Sequence, residues 1–143
     1  MLINKTATQQ DYPIILDIWE KSVTQTHDFL SAHDLKFYKK TLPDNLDTVD
    51  LLLWFNDTQI VGFSGTQGEE LVMLFLDPDF IGQKYGHDIL TWLVHHANIT
   101  MIDVNAQNKH AKKFYLDHGF TIASTDHFDG FGKPYPIDHL IKR

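Results

Sequence analysis

The chain has 143 residues and a formal charge of -7 at pH 7, with 43% hydrophobic and 22% charged residues, the make-up of one globular domain able to bury a core. It has no cysteine, which excludes a disulfide framework, a thiolate zinc site and a cysteine nucleophile, and its acidic balance argues against a nucleic-acid partner. No apolar run approaches the roughly 20 residues of a membrane span, and "MLINKTATQQDYP" lacks the apolar core of a signal peptide. One cytoplasmic domain over residues 1–143 is expected, with no membrane partner.

"LINKTA" reads as a short first strand. Ile15, Leu16, Ile18, Trp19 and Val23 then recur at helical spacing behind Pro13, which a first helical turn tolerates, and predict a helix of about four turns. "SAHDLKFYKKTLP" carries a variant capping box, Ser31 three residues before Asp34, and predicts a second, shorter helix stopped by Pro43. "DLLLWF", "QIVGFSG" and "LVMLFL", separated by the turns "NDT" and "TQGE", predict an antiparallel meander of three strands. A helix over Asp88 to Asn98, a strand at "ITMIDV", a helix over Asn108 to His118 closed by Gly119, and final strands at "FTIAST" and "PIDHLIKR" complete the order.

Two stretches carry chemistry. "FIGQKYGHDIL", Phe80 to Leu90, follows the third meander strand and opens a helix, so its backbone N–H groups and the helix dipole form a seat for an anion, Gly82 allows close approach, and Gly86 lets the first turn pack tightly, with Leu90, Trp92 and Leu93 anchoring the helix. The glycines alone are equally those of a plain strand-to-helix turn. The spacing is neither G-x-x-x-x-G-K-[ST] nor G-x-G-x-x-G. Ser64 in "GFSG" lacks the spacing and the strand-to-helix elbow of a serine hydrolase. In "VNAQNKHAKKFYLDHGF", Asn105 ends a strand and Asn108 stands at a helix cap, while Ala111, Phe114, Tyr115 and His118 share one helix face. No H-E-x-x-H or comparable pair supports a metal, since the adjacent His95 and His96 point to different faces.

These two stretches and the order of elements resemble the GCN5-related N-acetyltransferase (GNAT) family across almost the whole chain. "THDFLSA" at Thr26 to Ala32, "LFLDPD" at Leu74 to Asp79 and "GKPYP" at Gly132 to Pro136 are most similar to its bacterial peptidyl-lysine N-acetyltransferases. The resemblance implies an α/β (α+β) fold, a mixed and mostly antiparallel sheet of about seven strands flanked by four helices, with acetyl-coenzyme A held between two splayed strands. It places the pyrophosphate against the loop Ile81, Gly82, Gln83, Lys84, Tyr85, Gly86 and His87, and further cofactor contacts at Asn105, Asn108 and Tyr115. The family's Q/R-x-x-G-x-G/A signature falls with Ile81 at the Gln/Arg position and Lys84 at the first glycine, so only Gly86 matches. The backbone N–H that polarises the thioester carbonyl is expected at a bulge near Leu74, Phe75 and Leu76.

Acyl transfer from a thioester to an amine needs a donor to the oxyanion, a proton for the leaving thiolate and a proton acceptor for the amine. The resemblance assigns the second role to Tyr115, whose phenol with a pKa of about 10 is protonated at neutral pH. Glu70, His27, Asp126 and His127 are the candidate bases. The expected acceptor is a primary amine, a peptide lysine by resemblance. A small polyamine, amino sugar or antibiotic, or a catalytically weak coenzyme A-binding or regulatory protein, are the alternatives. A monomer or homodimer is expected.

Overall fold

The computed structural model describes residues 2–143. Seven strands, β1 (Leu2–Thr6), β2 (Asp50–Asn56), β3 (Gln59–Gln67), β4 (Glu70–Leu76), β5 (Met101–Asn105), β6 (Phe120–Asp126) and β7 (Ile137–Lys142), form one sheet in the order β1-β2-β3-β4-β5-β7-β6. Four helices flank it: α1 (Tyr12–Thr26), α2 (Ala32–Leu46), α3 (Tyr85–His96) and α4 (Lys109–Asp117). Among the described residues only the β4/β5 pairing is parallel, so the sheet is mixed and mostly antiparallel, as expected.

The two faces are covered unequally. Ile15, Ile18 and Val23 of α1 and Leu42 and Leu46 of α2 pack on Leu51, Leu53 and Phe63 of β2 and β3. On the other face Ile89, Leu90 and Leu93 of α3 and Tyr115 of α4 meet Leu71, Ile102, Val104 and Leu140. The α1/α2 layer stops at β4, and beyond it Met101 and Ile141 remain exposed on the sheet.

Pro43 does not stop α2, which runs 15 residues and matches α1 in length. Leu46 is buried to 1% exposure one turn beyond Leu42, and keeping both on the core-facing stripe outweighs the one hydrogen bond that proline's missing N–H removes. Ser31 accepts from the Asp34 amide at 3.1 Å, the expected cap. α3 begins at Tyr85, three residues before the predicted start, so half of the glycine stretch is already helix.

The buried Ser64 accepts from Trp54 Nε1 at 2.9 Å and is a structural partner inside the sheet. Gly62 is there for closeness: a Cβ would lie 2.4 Å from Phe75 O of β4.

Candidate active site

β4 is paired to β5 only through Glu70↔Met101 and Leu71↔Ile102. Beyond those residues the strands diverge, and the β5-facing edge of Val72 to Leu76 borders an open V rather than a neighbouring strand. A second feature prepares this edge. In the pairing with β3, Gly65 opposes Met73 but Thr66 opposes Leu71, so Val72 is an extra residue. The bulge reverses the alternation: Leu71 faces the α3/α4 core, yet Met73 and Phe75 turn to the α1/α2 side while Leu74 and Leu76 face α3 and α4. The bulge thus lies two residues before the expected Leu74 to Leu76, because the alternation must switch where the α1/α2 layer begins.

Two cavities flank the V. One of about 320 Å³ lies in its mouth, lined by Met73 and Leu74 of β4, Asp103 and Asn105 of β5, and Tyr115. The other, about 150 Å³, runs toward α3 between Leu76, Ile81, Gly86, Asn108 and Phe114. Both share His27, Phe75, Asn108, Ala111 and Tyr115. A third, about 250 Å³, opens on the α1/α2 side and shares His27, Met73, Phe75 and Asn105 with the first.

Tyr115 is brought here by α4. Asn108 caps that helix by accepting from the Ala111 amide at 3.2 Å, and Asn105 Oδ1 accepts from the Gln107 amide at 2.9 Å. Lys112 Nζ lies 2.7 Å from Asp138 Oδ2, and Thr125 donates to Asp138 Oδ1 at 2.6 Å. Burial pulls the Asp138 pKa up, but Lys112 and Thr125 outweigh it and the net shift is down. This ion pair fixes α4 on β7. The Tyr115 ring is 7% exposed, and burial raises its pKa, so the phenol keeps its proton at neutral pH. Its hydroxyl hydrogen-bonds to no other described residue and is not sealed from the cavity.

His27 sits where all three cavities meet, as the C-cap of α1. Thr26 Oγ1 donates its one proton to Ser22 O at 2.8 Å and lies 2.7 Å from His27 Nδ1. The hydroxyl must therefore accept from Nδ1–H, leaving Nε2 as the lone-pair nitrogen. Burial, partly opposed by Asp28, lowers the His27 pKa to about 4, so the ring is neutral at pH 7.

Glu70 lies elsewhere, at the closed base of the V, and lines none of the three cavities. Burial and then the Asp103 charge raise its pKa. Asp126 is held 2.6 Å from His139 Nε2, whose Nδ1 lies 2.6 Å from Asp103, while His127 is exposed just past β6. Asp103, a charged residue in the apolar run "ITMIDV", lines the V and was not singled out from sequence; its polarity at an otherwise apolar position was the signal.

In the loop, Ile81 and Gly86 line the inner cavity. A Cβ on Gly86 would lie 3.4 Å from the Phe114 ring, so the first turn of α3 packs closely there. Tyr85 turns away, its hydroxyl accepting from Asn56 Nδ2 at 2.8 Å. His87 Nδ1 lies 2.8 Å from His118 Nε2, tying α3 to the end of α4. Gln83 and Lys84 are exposed, and Lys84, the N-cap, takes the left-handed conformation at φ 64°. Lysine here thus adopts a backbone conformation that ordinarily favours glycine. The Asp88 amide is the first to bond within the helix, to Lys84 O at 3.1 Å. The N–H groups of residues 85–87 are left for an anion at the positive end of a 12-residue helix. An open strand edge beside a helix-end anion seat suits a long ligand with a pyrophosphate and an amide-bearing arm. Among the described residues, no group of three metal-ligating side chains is placed to hold a metal ion, and no helix is long and apolar enough to cross a membrane.

Comparison with known proteins agrees. Residues 16–131 match the acetyltransferase (GNAT) domain. The peptidyl-lysine N-acetyltransferase YjaB of Salmonella typhimurium is 34% identical over 143 residues, 99% of each chain. The solution structure of apo YjaB from Escherichia coli superposes with a TM-score of 0.85 at 32% identity, covering 99% of this chain and 97% of that one. The fold is also that of the PaiA N-acetyltransferase from Thermoplasma acidophilum, solved in complex with coenzyme A, at a TM-score of 0.69 and 20% identity over 97% of this chain and 98% of that one. The chain belongs to the GNAT family and is an acetyl-coenzyme A-dependent N-acetyltransferase.

Proposed function

We propose that the protein acetylates the side-chain amine of lysine in peptides, with Tyr115 as the proton donor and His27 as the acceptor of the amine's proton. The observation that carries the reading is the position of these two side chains on shared cavity walls beside the unpaired edge of β4. The near-full-length likeness to a peptidyl-lysine enzyme supports the acceptor. Bound acetyl-coenzyme A supplies a thioester-activated acetyl group, and the net change is formation of the N–C bond and rupture of the C–S bond.

The chain's own groups would do the following. Free N–H groups in the Val72 to Leu76 edge hold the ligand's arm and donate to the acetyl oxygen, and the amides of residues 85–87 hold the phosphates. His27 Nε2 accepts an N–H from the incoming amine and aims its lone pair. A base this weak does not strip an alkylammonium beforehand, so the acceptor reacts from its neutral amine form, its first proton having gone to solvent. His27 takes a second proton as the new N–C bond makes the nitrogen acidic. Tyr115 Oη gives its proton to the departing sulfur and regains one from solvent through the cavity. Because acetyl-coenzyme A is a cytoplasmic metabolite, this reading places the chain in the cytoplasm.

Incubation with acetyl-coenzyme A and a lysine peptide, followed by mass spectrometry, tests it. The expected result is one acetyl group on the lysine side chain, lost in Tyr115→Phe. Acetylation confined to the peptide's α-amine would overturn the acceptor assignment.

A further inference from the structure

The cavity on the α1/α2 side has an apolar floor of Trp19, Val23, Leu30, Leu42, Met73 and Phe75. Its lid is the segment between β6 and β7, which folds over α2. Lys133 Nζ donates to Asp34 at 2.9 Å and lies 4.5 Å from the centre of the Phe37 ring, Tyr135 donates to Asp34, and Phe131 packs edge-on against Phe37. Asp129 is the charged group on the inner wall. Its carboxylate is fixed by the amides of Phe131 and Lys133, at 2.9 and 3.0 Å, and by the Tyr38 hydroxyl. All three donors are neutral. The ammonium of Lys133, the residue whose amide holds Asp129, is committed to Asp34, and among the described residues no lysine or arginine lines the cavity. His27, at the inner end, is uncharged at pH 7. A rigid, half-buried carboxylate thus faces the cavity with its charge uncompensated, and such a charge attracts a cation more strongly than a surface carboxylate does.

Asp129 lines this cavity but neither of the two that hold Tyr115, so its charge lies away from the reacting end. We propose that Asp129 binds a second cationic group of the acceptor, which is therefore a primary amine on an unbranched apolar arm with another positive charge at its far end. In a peptide this is a lysine beside a second basic group. The inference rests on the amine-acceptor reading above and names the acceptor's class.

The test uses two amines of equal length, 1,5-diaminopentane and n-hexylamine, which carries a methyl group in place of the second amine, with acetyl-coenzyme A. The wild-type kcat/KM is expected to favour the diamine by about tenfold, mostly through KM, the worth of one charge-assisted contact. Asp129→Asn, whose side-chain oxygen still accepts from the two amides, should bring that ratio down to about two, the statistical advantage of a molecule with two equivalent amines. Lys133→Met loosens the same lid but leaves the carboxylate, and should keep the preference. A wild-type ratio no higher than this statistical twofold, or a larger preference that survives in Asp129→Asn, overturns the proposal while leaving the acetyltransferase reading intact. A preference lost equally in Lys133→Met overturns it too, by assigning the effect to the lid. If both amines and a lysine peptide go unacetylated while acetyl-coenzyme A binds, the amine-acceptor reading itself fails, and the inference with it.

Discussion

Tyr115 is packed like a core residue and yet its hydroxyl has no partner among the described residues, so packing and proton donation can be separated experimentally. Tyr115→Phe keeps the ring and loses no hydrogen bond, so stability should change by less than about 0.5 kcal/mol, while kcat should fall by about 10²–10⁴ as expected for loss of a general acid. A lowered melting temperature with unchanged kcat would make the tyrosine structural. His27 gives a prediction in pH. Its folded pKa of about 4 lies below the ordinary 6.5. Between these values the unfolded chain takes up a proton that the native state refuses, so stability is lost as pH falls from 6.5 to 4 and levels off below that. The limit is about 3 kcal/mol, reduced by whatever solvent reaches the ring. Relative to His27→Gln, the wild type should therefore lose stability in urea melts at pH 4.5 compared with pH 7. A constant difference between the two proteins would show that the ring is not held neutral.

The junction of β4, its following loop and α3 combines features of very different visibility in the sequence. Lys84 stands at φ 64° as the N-cap of α3, where an L-residue costs about 1–2 kcal/mol and glycine nothing. Lys84→Gly should stabilise the protein by about 1 kcal/mol after the added freedom of the unfolded chain is subtracted. A lower urea midpoint in this variant would mean that the lysine side chain repays the strain. The glycine pattern located this loop, but nothing in it announced that a lysine would take a left-handed conformation, since that region favours Gly, Asn and Asp. Helix α1 and the meander were legible because Ile15, Ile18 and Val23 repeat with the helix and the turns "NDT" and "TQGE" punctuate the strands. The Val72 bulge was not, because "LVMLFL" is apolar at every position and has no alternation to break. Pro43 misled because proline reports the local cost of continuing a helix and not the burial of Leu46 that offsets it. The cluster of Tyr115, Asn108 and Gly86 was visible as separate motifs, whereas His27 stood as one of four candidate bases and is set apart, like Asp129, only where α1 and the segment after β6 are brought beside β4.

At the scale of the molecule the site is a seam. Two residue pairs join β4 to β5, whereas seven join β2 to β3 and six β3 to β4, and the α1/α2 layer ends at β4. The core under α3 and α4 is the main element spanning both sides, with Trp54 and Val61 from one half and Val104 and Leu140 from the other. A ligand lying in the V, with its arm on the open edge of β4 and its phosphates at the start of α3, bonds to groups that otherwise face solvent and links the halves. Acetyl-coenzyme A should therefore raise the melting temperature with concentration, by the linkage that gives about 2.7 kcal/mol at a hundredfold excess over Kd, or roughly 8 °C for a domain of this size. Hydrogen exchange should place the new protection on the amides of residues 72–76 and 85–87. Melts that superimpose at millimolar acetyl-coenzyme A would show that the seam does not bind it. A thermal shift with protection gained elsewhere would keep the ligand but move it out of the V.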